Sequence, residues 1–84
     1  MTASRDGNLR GLDATIERRG LRDHVYERIL QLLLSGEAVP GRRLSIDTIA
    51  RQLDVSQTPV REALVQLERT GLVTREALRG YRVA

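Results

Sequence analysis

The segment LSIDTIARQLDVSQTPVREAL, residues 44–64, contains two short helical patterns joined by a tight polar turn. Ser45 is a favourable N-cap for the first helix, and Ser56 or Thr58 caps the second. Asp54 stands at the turn, where a left-handed backbone is expected, and aspartate tolerates that conformation better than most residues. The residues predicted to face inward are small or aliphatic: Ile46, Ile49, Ala50, Leu53, Val55, Val60, Ala63, Leu64 and Leu67. Because so short a junction makes the helices cross steeply, the segment predicts a helix-turn-helix.

The sequence on either side predicts one more helix before this pair and a β-hairpin after it. A helical stripe begins at residue 21 and is stopped by Gly36; its apolar members are Leu21, Val25, Ile29, Leu32 and Leu33. Residues 72–76 and 81–84 read as two strands around a turn in which Gly80 supplies a positive φ. The predicted fold class is mainly α (α+β), three helices followed by a two-stranded β-hairpin.

The length and composition predict one small domain with no metal or cofactor site. Residues 1–20 are polar and interrupted by glycine, so we predict a flexible N-terminal arm with some helix near residues 12–19, followed by a domain over residues 21–84. The chain has no cysteine, no secretory signal and no apolar run that could span a membrane, which predicts a cytoplasmic protein. A single histidine and no nucleophile–base arrangement indicate that the chain is not an enzyme.

The charge balance is mildly basic and rests on one residue type. Fourteen basic side chains against 11 acidic ones give a formal net charge of +3, and every basic residue is arginine. The planar guanidinium matches phosphate groups and guanine edges. Codon bias in a GC-rich genome is the simpler explanation for the absence of lysine, so the charge alone does not identify a partner.

The second helix of the central segment opens with Gln57, Thr58 and Arg61, without an acidic residue. Helices usually place acids there, because they complement the positive end of the helix dipole. An opening with hydrogen-bonding groups and arginine suits a polyanion: Ser56 and Thr58 would donate to phosphates, while Gln57 and Arg61 would reach base edges. In the structural alternative, Ser56 and Thr58 only cap the helix and Arg61 pairs with a nearby glutamate in solvent.

The stretch VYERILQLLLSGEAVPGRRLSIDTIARQLDVSQTPVREALVQLERTGLV, residues 25–73, resembles the DNA-binding domain of GntR-family bacterial transcription regulators, most closely the FadR-type branch. The matching motifs are PG.RL before the second helix, VS.TPVREAL.QLE..GL through the third, and RG in the hairpin turn. The resemblance covers residues 21–84. It implies a winged helix-turn-helix whose third helix, about residues 57–70, lies in the major groove, with the wing at residues 77–80 in the minor groove.

The resemblance also implies a function for this chain. It predicts a sequence-specific regulator, a repressor in most family members, that binds a palindromic double-stranded DNA operator as a homodimer. A separate C-terminal domain, absent from this chain, would bind a small-molecule effector. The implied contact residues are Ser56, Gln57, Thr58 and Arg61 on the third helix, Ser45 and Asp47 on the second, and Arg79 and Gly80 in the wing.

Three positions depart from the family pattern. Gln57 replaces a common arginine, so a guanine-reading fork becomes an amide suited to adenine. Asp47 also stands where arginine is common; it would repel phosphate unless it pairs internally or accepts from a cytosine amine. Ala77-Leu78 replaces Pro-Gly in the wing. The acidic Asp47 and Glu62 near the predicted DNA-reading face, together with the modest net charge, keep a second hypothesis open, in which the winged helix is a protein–protein interaction module.

Overall fold

Three helices precede a small antiparallel sheet. The computed structural model describes the backbone of residues 3–77 and 80–84 and the side chains of residues 16–77 and 80–84. In chain order the elements are α1 (Ala3–Leu34), β1 (Arg43–Leu44), α2 (Ile46–Leu53), α3 (Gln57–Thr70), β2 (Val73–Glu76) and β3 (Gly80–Val83). The strands lie in the order β1-β3-β2, with both pairs antiparallel. The predicted winged helix-turn-helix class is confirmed.

The helix-turn-helix forms because its two junctions are built as the sequence predicts. At the start of α2, the Ser45 hydroxyl oxygen accepts a hydrogen bond from the Thr48 amide at 3.2 Å, which satisfies one orphan donor of the first turn. Asp54 then ends α2 in the left-handed region, at φ 56° and ψ 49°. This conformation turns the chain so that the Val55 amide donates to the Ala50 carbonyl at 3.0 Å. Helix α3 therefore starts within three residues of the end of α2.

The core lies between α1, α3 and the sheet, and α3 contributes most to it. The residues of α3 that are fully buried in this core are Pro59, Val60, Ala63, Leu64 and Leu67. The other buried residues are Val25, Ile29, Ala38, Leu44, Ala50, Val73, Tyr81 and Val83. Burying one inner face of α3 in this way fixes which of its side chains remain outside, because a helical stripe leaves the opposite face exposed.

Helix α1 begins at Ala3, not at Leu21 as the apolar stripe predicts. Leu21 itself is 37% exposed, so burial on this helix starts at Val25. Residues 16–20 are helical although all of them are exposed, because Glu17, Arg18 and Arg19 have good helix propensity and no proline interrupts them. A helix without buried contacts gains little from packing. The division into a flexible arm and a domain stays a prediction.

The sheet has three strands instead of the two predicted. The additional strand, β1, has only two residues, and Arg43 and Leu44 pair with Arg82 and Tyr81 of β3. Two residues are too few to show the alternating pattern by which strands are recognised. The hairpin bounds also move slightly, to Val73–Glu76 and Gly80–Val83. As a result β3 is the central strand, and the wing is joined to the segment that leads into α2.

Candidate nucleic-acid interface

The beginning of α3 forms an exposed polar surface. Ser56, Gln57, Thr58 and Arg61 are all exposed, whereas Pro59, between them, is buried. Ser56 is the N-cap residue, but its side chain makes no capping hydrogen bond, and the first turn contains no acidic residue. Unsatisfied backbone N–H groups and the positive end of the helix dipole attract anions. This end of α3 is therefore chemically suited to a phosphate-bearing partner.

Four side chains on α2 and α3 are connected across the helix-turn-helix; we call them the polar relay. Arg51 Nη2 lies 3.0 Å from Asp47 Oδ2 in a salt bridge within α2. Gln57 Nε2 donates to Asp47 Oδ1 at 3.4 Å, which links α3 to α2. Arg61 Nη2 donates to Gln57 Oε1 at 3.1 Å, one helical turn further along. The relay thus runs Arg51, Asp47, Gln57, Arg61 along the exposed side.

Asp47 is paired within the protein. Its carboxylate accepts from the Arg51 guanidinium and from the Gln57 amide, so each of its oxygens has a partner on the protein. The structural alternative for Arg61 is not observed: within the described side chains Arg61 bonds to Gln57, and no salt bridge joins it to Glu62 or Glu68. Ser45, in contrast, serves as the N-cap of α2, although its hydroxyl proton can still be donated.

The wing is described only in part. Gly80 has φ 97°, as predicted, and pairs with Glu76 where the hairpin closes. A side chain at this φ is strained, which explains the glycine. Ala77 lies in the turn, whereas Leu78 and Arg79 lie outside the described residues. The assignment of Arg79 and of the 77–80 turn to the minor groove stays a prediction.

Two further arginines face the same open cleft as Arg61. Arg43 of β1 and Arg75 of β2 line this cleft together with Arg61, Ser45 and Gly80. The cleft lies between the start of α2, the outer side of α3 and the wing. Its three guanidinium groups extend the basic surface from α3 onto the sheet. From the sequence, Arg43 flanks the helix-turn-helix and could contact phosphate or lie on a solvated face, whereas Arg75 is marked only by its position in a predicted strand.

The described residues contain neither a candidate metal site nor a helix that could cross a membrane. None of their histidine and acidic side chains form a group of three or more that could hold a metal ion. His24 is exposed on α1. No helix among them is long and apolar enough to cross a membrane.

The comparisons with known proteins decide the family. The model for bacterial regulatory proteins of the gntR family matches residues 21–83. The chain belongs to the GntR family. An uncharacterised HTH-type transcriptional regulator of Mycobacterium tuberculosis is 46% identical over 59 residues, which cover 70% of this chain and 24% of that protein. The regulator YcbG of Bacillus subtilis, also uncharacterised, is 39% identical over 67 residues, covering 79% of this chain and 29% of that protein.

A solved structure agrees with this assignment. The crystal structure of a GntR-family transcriptional regulator from Pseudomonas syringae pv. tomato superimposes with a TM-score of 0.69 at 34% sequence identity. The match covers 76% of this chain and 27% of that one. The chain is thus the helix-turn-helix DNA-binding domain of a GntR-type regulator and not an enzyme, and it spans about a quarter of the length of the relatives it matches.

Proposed function

We propose that this GntR domain binds a specific DNA sequence, with α3 in the major groove and residues 77–80 at the minor groove. The observation that carries the proposal is the exposed row at the start of α3, where Gln57, Thr58 and Arg61 face solvent without any acid in the first turn. The buried face of α3 fixes the outward direction of this row. A helix presented in this way fits the width of the major groove.

Charge supports contact with the DNA backbone on both sides of α3. Ser56 is exposed at the N-terminus of α3, so its hydroxyl group can donate to a phosphate. Arg43 and Arg75 line the cleft between α3 and the wing, where they would reach phosphates next to the groove. Phosphate contacts of this kind fix the register of a protein on a duplex, and base contacts then supply sequence preference.

For the whole protein we propose a cytoplasmic repressor of the FadR-type branch that acts as a homodimer on a palindromic operator. A C-terminal domain outside this chain would bind a small-molecule effector and hold the two DNA-binding domains together. Linking two domains raises the effective concentration of the second at its half-site. An isolated domain should therefore bind a single half-site much more weakly than the dimer binds the operator.

The test is a titration of isotopically labelled protein with random-sequence duplex at low salt, followed by selection of preferred sites from a random pool. We expect amide shift changes at Ser56, Gln57, Thr58 and Arg61, and selected sites that share a half-site motif. Glu37, at the exposed turn after α1, serves as an internal reference that should not shift. Absence of any DNA-dependent change would favour the alternative function, a protein–protein interaction module.

A further inference from the structure

The orientation of the Gln57 amide is determined by its two partners. A carboxylate only accepts hydrogen bonds, and a guanidinium only donates them. Asp47 Oδ1 therefore requires the amide nitrogen on its side, and Arg61 requires the amide oxygen on the other. A flipped amide would place its nitrogen against the Arg61 donor and its oxygen against the carboxylate, so both contacts would become repulsive.

Each partner leaves half of the Gln57 amide available. The nitrogen keeps one hydrogen after donating to Asp47, and the oxygen keeps one lone pair after accepting from Arg61. A free donor beside a free acceptor matches the major-groove edge of adenine, which offers an N7 acceptor and an N6 donor. The relay thus presents the amide with its donor on the α2 side and its acceptor on the Arg61 side.

We propose that Asp47 is a specificity-determining residue that acts by positioning: it holds the Gln57 amide in the orientation that reads adenine. This inference rests on the proposed DNA-binding function and deepens it. Asp47 needs no base contact of its own for this role. Arg51 contributes indirectly, because its salt bridge with Asp47 offsets a charge that would otherwise repel the DNA backbone.

The relay is weak in the free protein and gains strength in a complex. The side chains of Arg51 and Asp47 are 73% and 61% exposed, and exposed pairs of this kind contribute little in water. A duplex lying on α3 would displace water from the relay and lower the local dielectric. The orienting effect of Asp47 should therefore appear mainly as a difference between DNA sequences and hardly at all in the stability of the free domain.

The experiment compares base preference in matched variants. The wild-type domain is used to select a half-site from random DNA, and duplexes with each of the four bases at every position are then titrated by fluorescence anisotropy. The variants are Gln57→Ala, Asp47→Ala, Asp47→Asn and the double variant Asp47→Ala/Gln57→Ala. Glu68→Gln is the charge-matched control, because Glu68 lies towards the other end of α3. Thermal melts of each variant are recorded beside the titrations.

The Gln57→Ala variant should lose preference for adenine at one position, by about 5- to 150-fold. We expect Asp47→Ala to weaken the preference at that same position, and Asp47→Asn to weaken it less, because its amide oxygen can still accept from Gln57. The double variant should lose no more than Gln57→Ala, and Glu68→Gln should retain the preference. Removing the Asp47 charge should also raise affinity for random-sequence DNA.

Two outcomes would overturn the inference in distinguishable ways. If the Asp47 variants keep the wild-type preference for adenine while Gln57→Ala loses it, Gln57 reads the base without help from Asp47. The DNA-binding proposal then stands and only the positioning role fails. If the wild-type domain shows no base preference at any position, the proposed function fails together with the inference.

Discussion

Arg82 and Glu76 join the two strands of the wing through a short salt bridge, with Arg82 Nε 2.6 Å from Glu76 Oε1. The same guanidinium donates from Nη1 to the Gly41 carbonyl at 2.7 Å. Arg82 lies on β3, the central strand, so it connects the outer strand of the wing to the turn that precedes β1. The two side chains are 36% and 33% exposed, which places the pair between a solvated surface bridge and a buried one.

Replacing Arg82 should destabilise the sheet. We expect Arg82→Ala to lower the free energy of unfolding by about 1–2 kcal/mol, because it removes a charged hydrogen bond on each side of β3 in a partly solvated setting. Chemical denaturation followed by circular dichroism measures this. Arg75→Ala is the control, since Arg75 is an exposed arginine in the same sheet, and it should change stability by less than about 0.5 kcal/mol. Equal effects of the two variants would contradict the bracing role of Arg82.

The left-handed backbone at Asp54 predicts a stabilising substitution. Asp54 has φ 56°, a conformation that glycine adopts without the clash between Cβ and backbone. We expect Asp54→Gly to raise the free energy of unfolding by about 0.5–1 kcal/mol, after allowing for the greater freedom of glycine in the unfolded chain. Asp54→Ala should destabilise instead, because alanine retains the clash and adopts the left-handed conformation less readily than aspartate does. A melting temperature that falls in the glycine variant would show that the Asp54 side chain contributes more than its strain costs.

The helix-turn-helix could be predicted from the sequence, whereas the short strand β1 and the start of α1 could not. Local signals specify Ser45 as an N-cap, the left-handed residue Asp54 and the buried stripe of α3, and all three are confirmed. Strand β1 was missed because a two-residue edge strand exists only through its pairing with β3. The predicted start of α1 at Leu21 was wrong because residues 16–20 are helical although all of them are exposed, whereas the prediction was based on the periodicity of buried apolar residues.

The polar relay shows why the site was harder to predict than the fold. The sequence marked Asp47 and Gln57 as two separate departures from the family pattern. Asp47 and Gln57 are ten positions apart in the sequence. Only the crossing of α2 and α3 brings Gln57 Nε2 to 3.4 Å from Asp47 Oδ1. Two unusual residues thereby become one connected unit. Arg75 was not predicted for the same reason, since its approach to the cleft beside Arg61 depends on tertiary structure.

DNA binding by this domain should depend steeply on salt. Each phosphate that the protein neutralises releases condensed counterions. In a plot of log association constant against log salt concentration, each such phosphate contributes about −0.9 to the slope. We expect Arg75→Ala to make the slope shallower by about one, because it would remove one phosphate contact without altering base preference. Anisotropy titrations at several salt concentrations provide the slopes. The control is Arg28→Ala, on the exposed side of α1, which should leave the slope unchanged.

Arg61 is the residue whose loss should reduce specific binding most directly. It is exposed one helical turn beyond Gln57 and holds the Gln57 amide oxygen at 3.1 Å, so its removal costs its own contact and loosens the neighbouring amide. We expect Arg61→Ala to lower affinity for the selected site by about 1–3 kcal/mol, while affinity for random-sequence duplex falls much less. Arg69→Ala is the matched control, because Arg69 carries the same charge in the last turn of α3, away from the polar relay. Should Arg61→Ala bind the selected site as tightly as Arg69→Ala does, Arg61 makes no base contact and α3 must present a different residue to the DNA.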